Sequence, residues 1–159
     1  MPMNRECRHI AEEIRSTFEG EAWYGDSVQK LLQGVTAGQA FAHPMTGAHS
    51  IWELVLHVNA WAEAAVNALR GIPIAKFPWP QEKDFPPLTD RSEAAWQQAV
   101  NTLFSTHKQF WQAIEAFEDN RLEEKVPGRS YTFYKLFMGW ADHMIYHAGQ
   151  IALLKKVQS

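Results

Sequence analysis

The sequence contains one cysteine, no long apolar run and no excess of charge of one sign. Because Cys7 has no second cysteine to pair with, an intrachain disulfide is excluded and a reducing compartment is expected. Close to a charged N-terminus, Cys7 is interpreted as a small helix residue rather than a nucleophile. No apolar stretch approaches the ~18 residues of a transmembrane helix, and the first residues are too charged for a signal peptide. These features predict a cytoplasmic protein with no membrane partner.

The charged residues are nearly balanced and well mixed along the chain. There are 15 Lys and Arg residues against 18 Asp and Glu residues, which gives a formal net charge of −3. Without a basic stripe to neutralise phosphates, nucleic acid is not expected as a direct ligand. A length of 159 residues with 46% hydrophobic content predicts one folded domain over residues 1–159.

The spacing of apolar residues predicts an all-α protein, a four-helix bundle without strands. The first long helix is expected from about Asn4 to Glu19. The second begins at a capping box, in which the Ser50 hydroxyl and the Glu53 carboxylate each bond to the backbone N–H of the other residue, and it ends at Gly71. The fourth helix is expected over residues 132–157.

Two further helix starts are predicted from the same kind of capping pattern. Asp90 and Glu93 are expected to cap the third long helix. Asp26 and Gln29 resemble a capping box for a short helix that ends at Gly34.

Proline is concentrated in one segment between the second and third helices. Five of the eight prolines lie between residues 71 and 88, which predicts a long irregular crossover that covers either the body of the protein or a subunit contact. The crossover carries Phe77, Trp79 and Phe85. These rings, added to the many aromatic residues of the bundle, predict a homodimer in which they contact a partner chain.

Three histidines occupy apolar faces of two predicted helices. His143 and His147 are four residues apart, so both rings lie on one face of the last helix. His57 lies on the apolar face of the second helix. A histidine on such a face is most often a core residue bonded to a backbone carbonyl, so the spacing alone does not decide its role. Three inward rings together favour a shared metal, because each unpaired buried ring costs about 1–3 kcal/mol.

Three histidine ligands would leave a coordination position open for water or a substrate, unlike a closed structural zinc site. Imidazole nitrogens suit zinc, nickel, iron or copper.

Other candidate site residues have two interpretations each. Glu53 lies one turn before His57 and is either only a helix cap or also a general base. His107, on the third helix, is a candidate for a further ligand or for a hydrogen-bond partner of one. Ligand pockets are mainly apolar, so some aromatic residues are expected to wall the site. The candidates for this role are Trp23, Tyr24, Trp61, Tyr134 and Tyr146.

Two segments resemble a known family. The stretch HSIWELVLHVNAW, the proline-rich crossover and the stretch ADHMIYHAGQI are similar to the DinB-like superfamily of four-helix-bundle proteins, which is related to damage-inducible DinB proteins and to thiol-dependent S-transferases. The resemblance implies that His57, His143 and His147 bind one divalent metal, with zinc or nickel expected first and iron or copper as alternatives. It also implies a homodimer.

The open three-histidine site leaves two classes of function, and for an enzyme the family resemblance implies thiol S-transfer or hydrolysis of a small substrate. A metal-dependent enzyme that transfers the sulfur of a thiol, or hydrolyses a small substrate, is one hypothesis; its partner would be a small molecule such as a low-molecular-weight thiol. The alternative is a non-catalytic module, in which the metal joins two helices or the pocket senses a small molecule in a stress response. Fold alone does not distinguish the two hypotheses.

Overall fold

A computed structural model describes residues 4–159. Most of these residues are helical, and the predicted all-α class is confirmed. In chain order the helices and strands are α1 (Arg5–Phe18), β1 (Glu21–Ala22), β2 (Gly25–Asp26), α2 (Val28–Leu32), α3 (Ala37–Phe41), α4 (Ile51–Leu69), α5 (Gln81–Asp84), α6 (Glu93–Glu115), a 3-10 turn (Asp119–Arg121) and α7 (Phe133–Lys156).

The four long helices α1, α4, α6 and α7 form the bundle. Helices α1 and α4 each pack against both α6 and α7, so α1 and α4 occupy opposite corners of the bundle. None of the helices within residues 4–159 has the length and hydropathy needed to cross a membrane. The largest fully buried side chains come from all four helices: Ile14, Phe18, Ile51, Trp52, Leu54, Trp96, Leu103, Phe110, Ile114, Phe137, Met144 and Ile151.

The capping box at the start of α4 has the predicted form. The Ser50 hydroxyl accepts a hydrogen bond from the Glu53 backbone N–H at 3.1 Å, and the Glu53 carboxylate accepts one from the Ser50 N–H at 2.7 Å. At the start of α7, the Thr132 side chain accepts a bond from the Lys135 N–H. These caps satisfy backbone donors that the first helical turn leaves unpaired, and they set the rotation of the two helices that carry the histidines.

The other two predicted caps are wrong. Helix α6 is capped by Ser92, whose hydroxyl accepts from Ala95, while Asp90 accepts from the Ser92 N–H. Glu93 instead accepts from the Ala37 N–H at 2.8 Å, a contact between distant parts of the chain. Asp26 belongs to strand β2, and Ser27 is the residue before α2.

A small hairpin, which the sequence did not predict, joins α1 to α2. Its strands β1 and β2 have two residues each and pair antiparallel, with Glu21 opposite Asp26 and Ala22 opposite Gly25. Strands of two residues are too short to show the alternation of apolar and polar residues by which a strand is predicted. Gly25 follows the exposed tip, which is formed by Trp23 and Tyr24.

The crossover between α4 and α6 folds back on the bundle. The indole of Trp79 is buried and stacks on Trp61 with ring centroids 3.9 Å apart. Phe85 stacks on His57 with centroids 4.3 Å apart, while Phe77 is mostly exposed. The sequence left open whether this segment covers the body or a subunit contact, and Trp79 and Phe85 cover the body. These two rings therefore no longer support a homodimer. The homodimer itself stays a prediction.

Cys7 is a buried residue of α1. Burial and a hydrogen bond with Asp119 raise the pKa of the Cys7 thiol to about 12. The Asp119 carboxylate also accepts hydrogen bonds from the backbone N–H groups of Glu6 and Cys7. A residue distant in the sequence thus satisfies two backbone donors in the first turn of α1. A neutral, buried thiol is a poor nucleophile, which agrees with the structural interpretation of Cys7.

Candidate metal centre

Three histidines that are far apart in the sequence come together between α4 and α7. The Nε2 atom of His143 lies 3.2 Å from that of His57 and 2.9 Å from that of His147. One nitrogen from each ring lies within 4.8 Å of the other two, and the group could hold a metal ion. His57 and His147 are buried, and His143 is half-buried. The site thus has one imidazole from α4 and two from a single face of α7.

The far nitrogens of two of these rings are held by acceptors. His57 Nδ1 lies 2.8 Å from the backbone carbonyl oxygen of Asp84 and 3.2 Å from its carboxylate. His147 Nδ1 lies 2.6 Å from the side-chain oxygen of Gln150. An acceptor at Nδ1 requires the ring proton there, so the Nε2 atom of each ring presents a lone pair to the site.

This arrangement fits a cation better than it fits hydrogen bonds among the rings. The Nε2 atom of His143 carries at most one proton, which can be donated to one of its two neighbours and leaves the Nε2 lone pair of the other without a donor. Metal–nitrogen distances of about 2.0–2.1 Å in a tetrahedral site place ligand nitrogens about 3.3 Å apart, close to the 2.9 and 3.2 Å separations here. The hydrogen bonds at Nδ1 are those that orient metal-binding histidines.

The electrostatics of the site favour neutral imidazoles. Burial, together with the charges that His147 and His57 would carry, lowers the pKa of His143 to about 3. Burial also lowers the pKa of His57 and of His147, although the hydrogen bonds that these rings donate to Asp84 and Gln150 oppose the change. Since a metal binds the neutral form of histidine, the three rings need no deprotonation at neutral pH.

Asp84 and Gln150 were not singled out from the sequence. Gln150 follows His147 by three residues on α7, a spacing at which helix side chains meet, so this partner could have been found. Asp84 lies in the crossover, and nothing in the local pattern connects it with His57. Its carboxylate also accepts the Trp61 indole N–H at 2.7 Å.

Glu53 lies in the cap of α4 and is not in the group that could hold a metal. Its carboxylate bonds the Ser50 N–H and lies 3.0 Å from His43 Nε2 and 3.4 Å from His49 Nδ1. Burial raises the pKa of Glu53, but the hydrogen bonds from Ser50 and His43 outweigh it, so the pKa lies below its ordinary value. A carboxylate with a lowered pKa is a weak general base, which favours the capping interpretation.

His107 lies in the core, outside the three-histidine group. Its Nδ1 donates to the Leu103 carbonyl at 2.7 Å, and its ring stacks on Phe18 with centroids 3.6 Å apart. Burial lowers the pKa of His107 to about 3. Trp140 contacts His107 and His143, with centroids 5.4 and 5.5 Å away. His107 therefore supports the tryptophan beside the site.

An open cavity of about 280 Å³ adjoins the site at His143. Of the five aromatic residues proposed as pocket walls, Trp61 lines this cavity. Trp23 is fully exposed at the tip of the hairpin, and Tyr24, Tyr134 and Tyr146 are also exposed. The other residues that line the cavity are Tyr131, Lys135, Leu136, Gly139 and Trp140.

The comparison with family models agrees with the geometry. A model described as the DinB superfamily matches residues 22–151, which include the three histidines and the crossover. No curated protein and no solved structure matches the chain.

Proposed function

This chain belongs to the DinB superfamily, and we propose that it binds one divalent transition metal through His57, His143 and His147 and acts on a small molecule. The observation that carries the proposal is the convergence of three Nε2 atoms, two of them on rings anchored at Nδ1, beside an open cavity. Zinc or nickel is the expected metal, and iron or copper would suit the same ligands.

The chemistry that we propose is the S-transfer of a low-molecular-weight thiol, with hydrolysis of a small substrate as the other reaction class. A divalent metal supplies a Lewis acid that lowers the pKa of a thiol or of water. The chain keeps the three imidazoles neutral, orients two of them through Asp84 and Gln150, and places the substrate in a cavity with mainly apolar walls.

A second candidate function is a non-catalytic module. His57 lies on α4, whereas His143 and His147 lie on α7, so a bound metal would link two helices of the bundle. The metal would then stabilise the fold, and the cavity would only bind a small molecule, for instance in a stress response.

Metal removal separates the two functions. Zinc-loaded, nickel-loaded and metal-depleted protein would be tested with a panel of low-molecular-weight thiols and electrophilic acceptors. The enzyme hypothesis expects thiol consumption that depends on the metal. If no pair reacts in any loaded form, while metal removal strongly lowers the melting temperature, the second function replaces the first, because a structural metal contributes folding free energy directly.

A substitution at Glu53 tests whether its carboxylate takes part in the proposed reaction. In Glu53→Gln, the amide oxygen can still accept the Ser50 N–H, so we expect unchanged metal content and near-normal thiol consumption. Elemental analysis and the rate with the best thiol of the panel would be measured on the same preparation. A rate loss of about 10²–10⁴ at full metal content would instead identify Glu53 as a general base.

A homodimer remains a prediction, and the surface now proposed for the contact lies on helix α7. Helix α7 exposes apolar side chains along one face, including Met138 and Leu153, and such patches are typical of interfaces. Light scattering at micromolar concentration should give a dimer mass for the wild type and a monomer mass for the double variant Met138→Lys, Leu153→Lys. The matched control is Ile72→Lys, which charges an exposed apolar residue outside α7. A monomeric wild type would contradict the prediction.

A further inference from the structure

The walls of the cavity beside His143 are rigid and aromatic. The Trp61 indole N–H is bonded to Asp84, and the Trp61 ring is stacked on Trp79, so Trp61 cannot turn freely. Trp140 is buried and contacts His143. Tyr131 is a third aromatic residue of the lining. Such walls suit a planar apolar body, and the volume of about 280 Å³ is near the lower end of small-molecule sites.

The charge of the lining has one sign. Lys135 is exposed at the cavity and is the one lining residue with a charged side chain. Among residues 4–159 it forms no ion pair. The carboxylate of Asp84, close to the site, contacts Trp61 and His57 through its Oδ1 atom, and Asp84 is not among the residues that line the cavity. A ligand in this cavity therefore meets an unpaired ammonium group and no free carboxylate.

Lys135 and His143 are the first and the last residues of α7 that line the cavity. They are eight positions apart, which corresponds to about 12 Å along a helix axis. A ligand that reaches from the three histidines to the ammonium group of Lys135 must be extended, with an acidic group at the end away from His143.

Gly139 leaves space between Lys135 and His143. It lies in the middle of α7, one turn before His143, and lines the cavity. A Cβ atom built on Gly139 would meet nothing within 4 Å, so packing does not require glycine, which is among the least favourable residues inside a helix. Any side chain at this position would enter the cavity.

We infer that the cavity binds an extended aromatic anion, whose ring lies over Gly139 between Trp61 and Trp140 and whose acidic group pairs with Lys135. The identity of the group at the other end rests on the proposed function, since a thiol there would face the three histidines. This assigns Lys135 and Gly139 as specificity residues for a substrate class, an aromatic thiol or electrophile that carries a carboxylate.

The test of Lys135 compares two probes that differ only in charge. Titration calorimetry would measure the binding of 3-(4-mercaptophenyl)propanoate and of its amide to zinc-loaded protein. We expect about three- to fivefold tighter binding of the acid, the size of one exposed ion pair. Lys135→Met should abolish this preference, and Lys135→Arg should keep it. Equal affinities in the wild type, or a preference that survives in Lys135→Met, would overturn the role of Lys135.

The test of Gly139 uses a second glycine of the same helix as its control. Gly149 also has no atom within 4 Å of a built Cβ, but it is exposed and does not line the cavity. Gly139→Leu should weaken binding of the acid probe at least tenfold, while Gly149→Leu should not change it. Both variants should keep the wild-type melting temperature or raise it. Unchanged affinity in folded Gly139→Leu would show that the ligand does not lie there.

The two proposals can fail separately. Lys135 and Gly139 are not among the three histidines, so the acid preference and its loss in Lys135→Met should persist in metal-depleted protein, at lower overall affinity. If the protein binds no metal but keeps this preference, the proposed function fails and the cavity assignment stands. If metal binds but the two probes bind equally, the cavity assignment alone fails.

Discussion

Replacing His57, His143 and His147 together by alanine is expected to reduce the bound metal from about one ion per chain to near zero. These histidines are the only group among residues 4–159 in which one ligand atom from each of three residues lies within 4.8 Å of the others, so we expect no other group to replace them. Of the single variants, His143→Ala should lose most metal, because its Nε2 is close to those of both other rings. Elemental analysis of purified protein measures the effect.

The matched control removes three other histidines. The variant with alanine at His9, His43 and His49 loses the same number of imidazoles, and none of the three belongs to the group. It should keep the wild-type metal content. Circular dichroism and a melting curve would establish that both triple variants are folded. Undiminished metal in the folded His57, His143, His147 variant would overturn the site.

The second large effect is expected at Gln150. Its side-chain oxygen lies 2.6 Å from His147 Nδ1, so Gln150→Leu removes the acceptor that holds this ring while keeping a similar volume. Loss of such a partner typically weakens metal binding 10–100-fold. Gln150→Glu retains an acceptor and should bind zinc about as well as the wild type. Competition with a chromophoric zinc chelator measures both dissociation constants.

Asp84 provides a comparison for Gln150. The backbone carbonyl of Asp84 accepts the bond from His57 Nδ1, so Asp84→Ala keeps this acceptor. At His57 the variant loses only the more distant carboxylate, which also bonds Trp61. Its effect on zinc affinity should be smaller than that of Gln150→Leu. Equal zinc affinity in the wild type and in Gln150→Leu would mean that the bond to Gln150 does not orient His147.

The long helices could be predicted from the sequence because their signals are local. The apolar spacing on α7 repeats over more than six turns, and Ser50 and Glu53 meet within one turn of α4. The capping residues predicted for α6 and α2 are wrong because their actual contacts do not belong to a local helix pattern. Glu93 bonds to Ala37, a contact across the bundle, and Asp26 joins a hairpin whose strands are too short to leave a pattern.

The same distinction applies to the site. The three histidines could be grouped because an inward face can be read from helical spacing, and the packing of α4 on α7 then brings the rings together. The contributions of Asp84 and Phe85 could not be foreseen, because their distance from His57 depends on the path of an irregular crossover. The aromatic walls were also hard to choose, since several aromatic residues share α7 and only packing separates Trp140 in the interior from Tyr134 and Tyr146 at the surface.

The crossover does more than cover the bundle, because it holds one imidazole of the site from two sides. Phe85 stacks on the ring of His57, and the Asp84 carbonyl bonds to its Nδ1. If the crossover detaches, His57 loses both its orienting hydrogen bond and its stacking partner, so detachment and metal affinity are linked equilibria. By reciprocity, a metal that binds the attached form more tightly must protect the crossover against opening by the same factor. The bound ion would then stabilise the attached crossover, although the crossover provides none of the three histidine ligands.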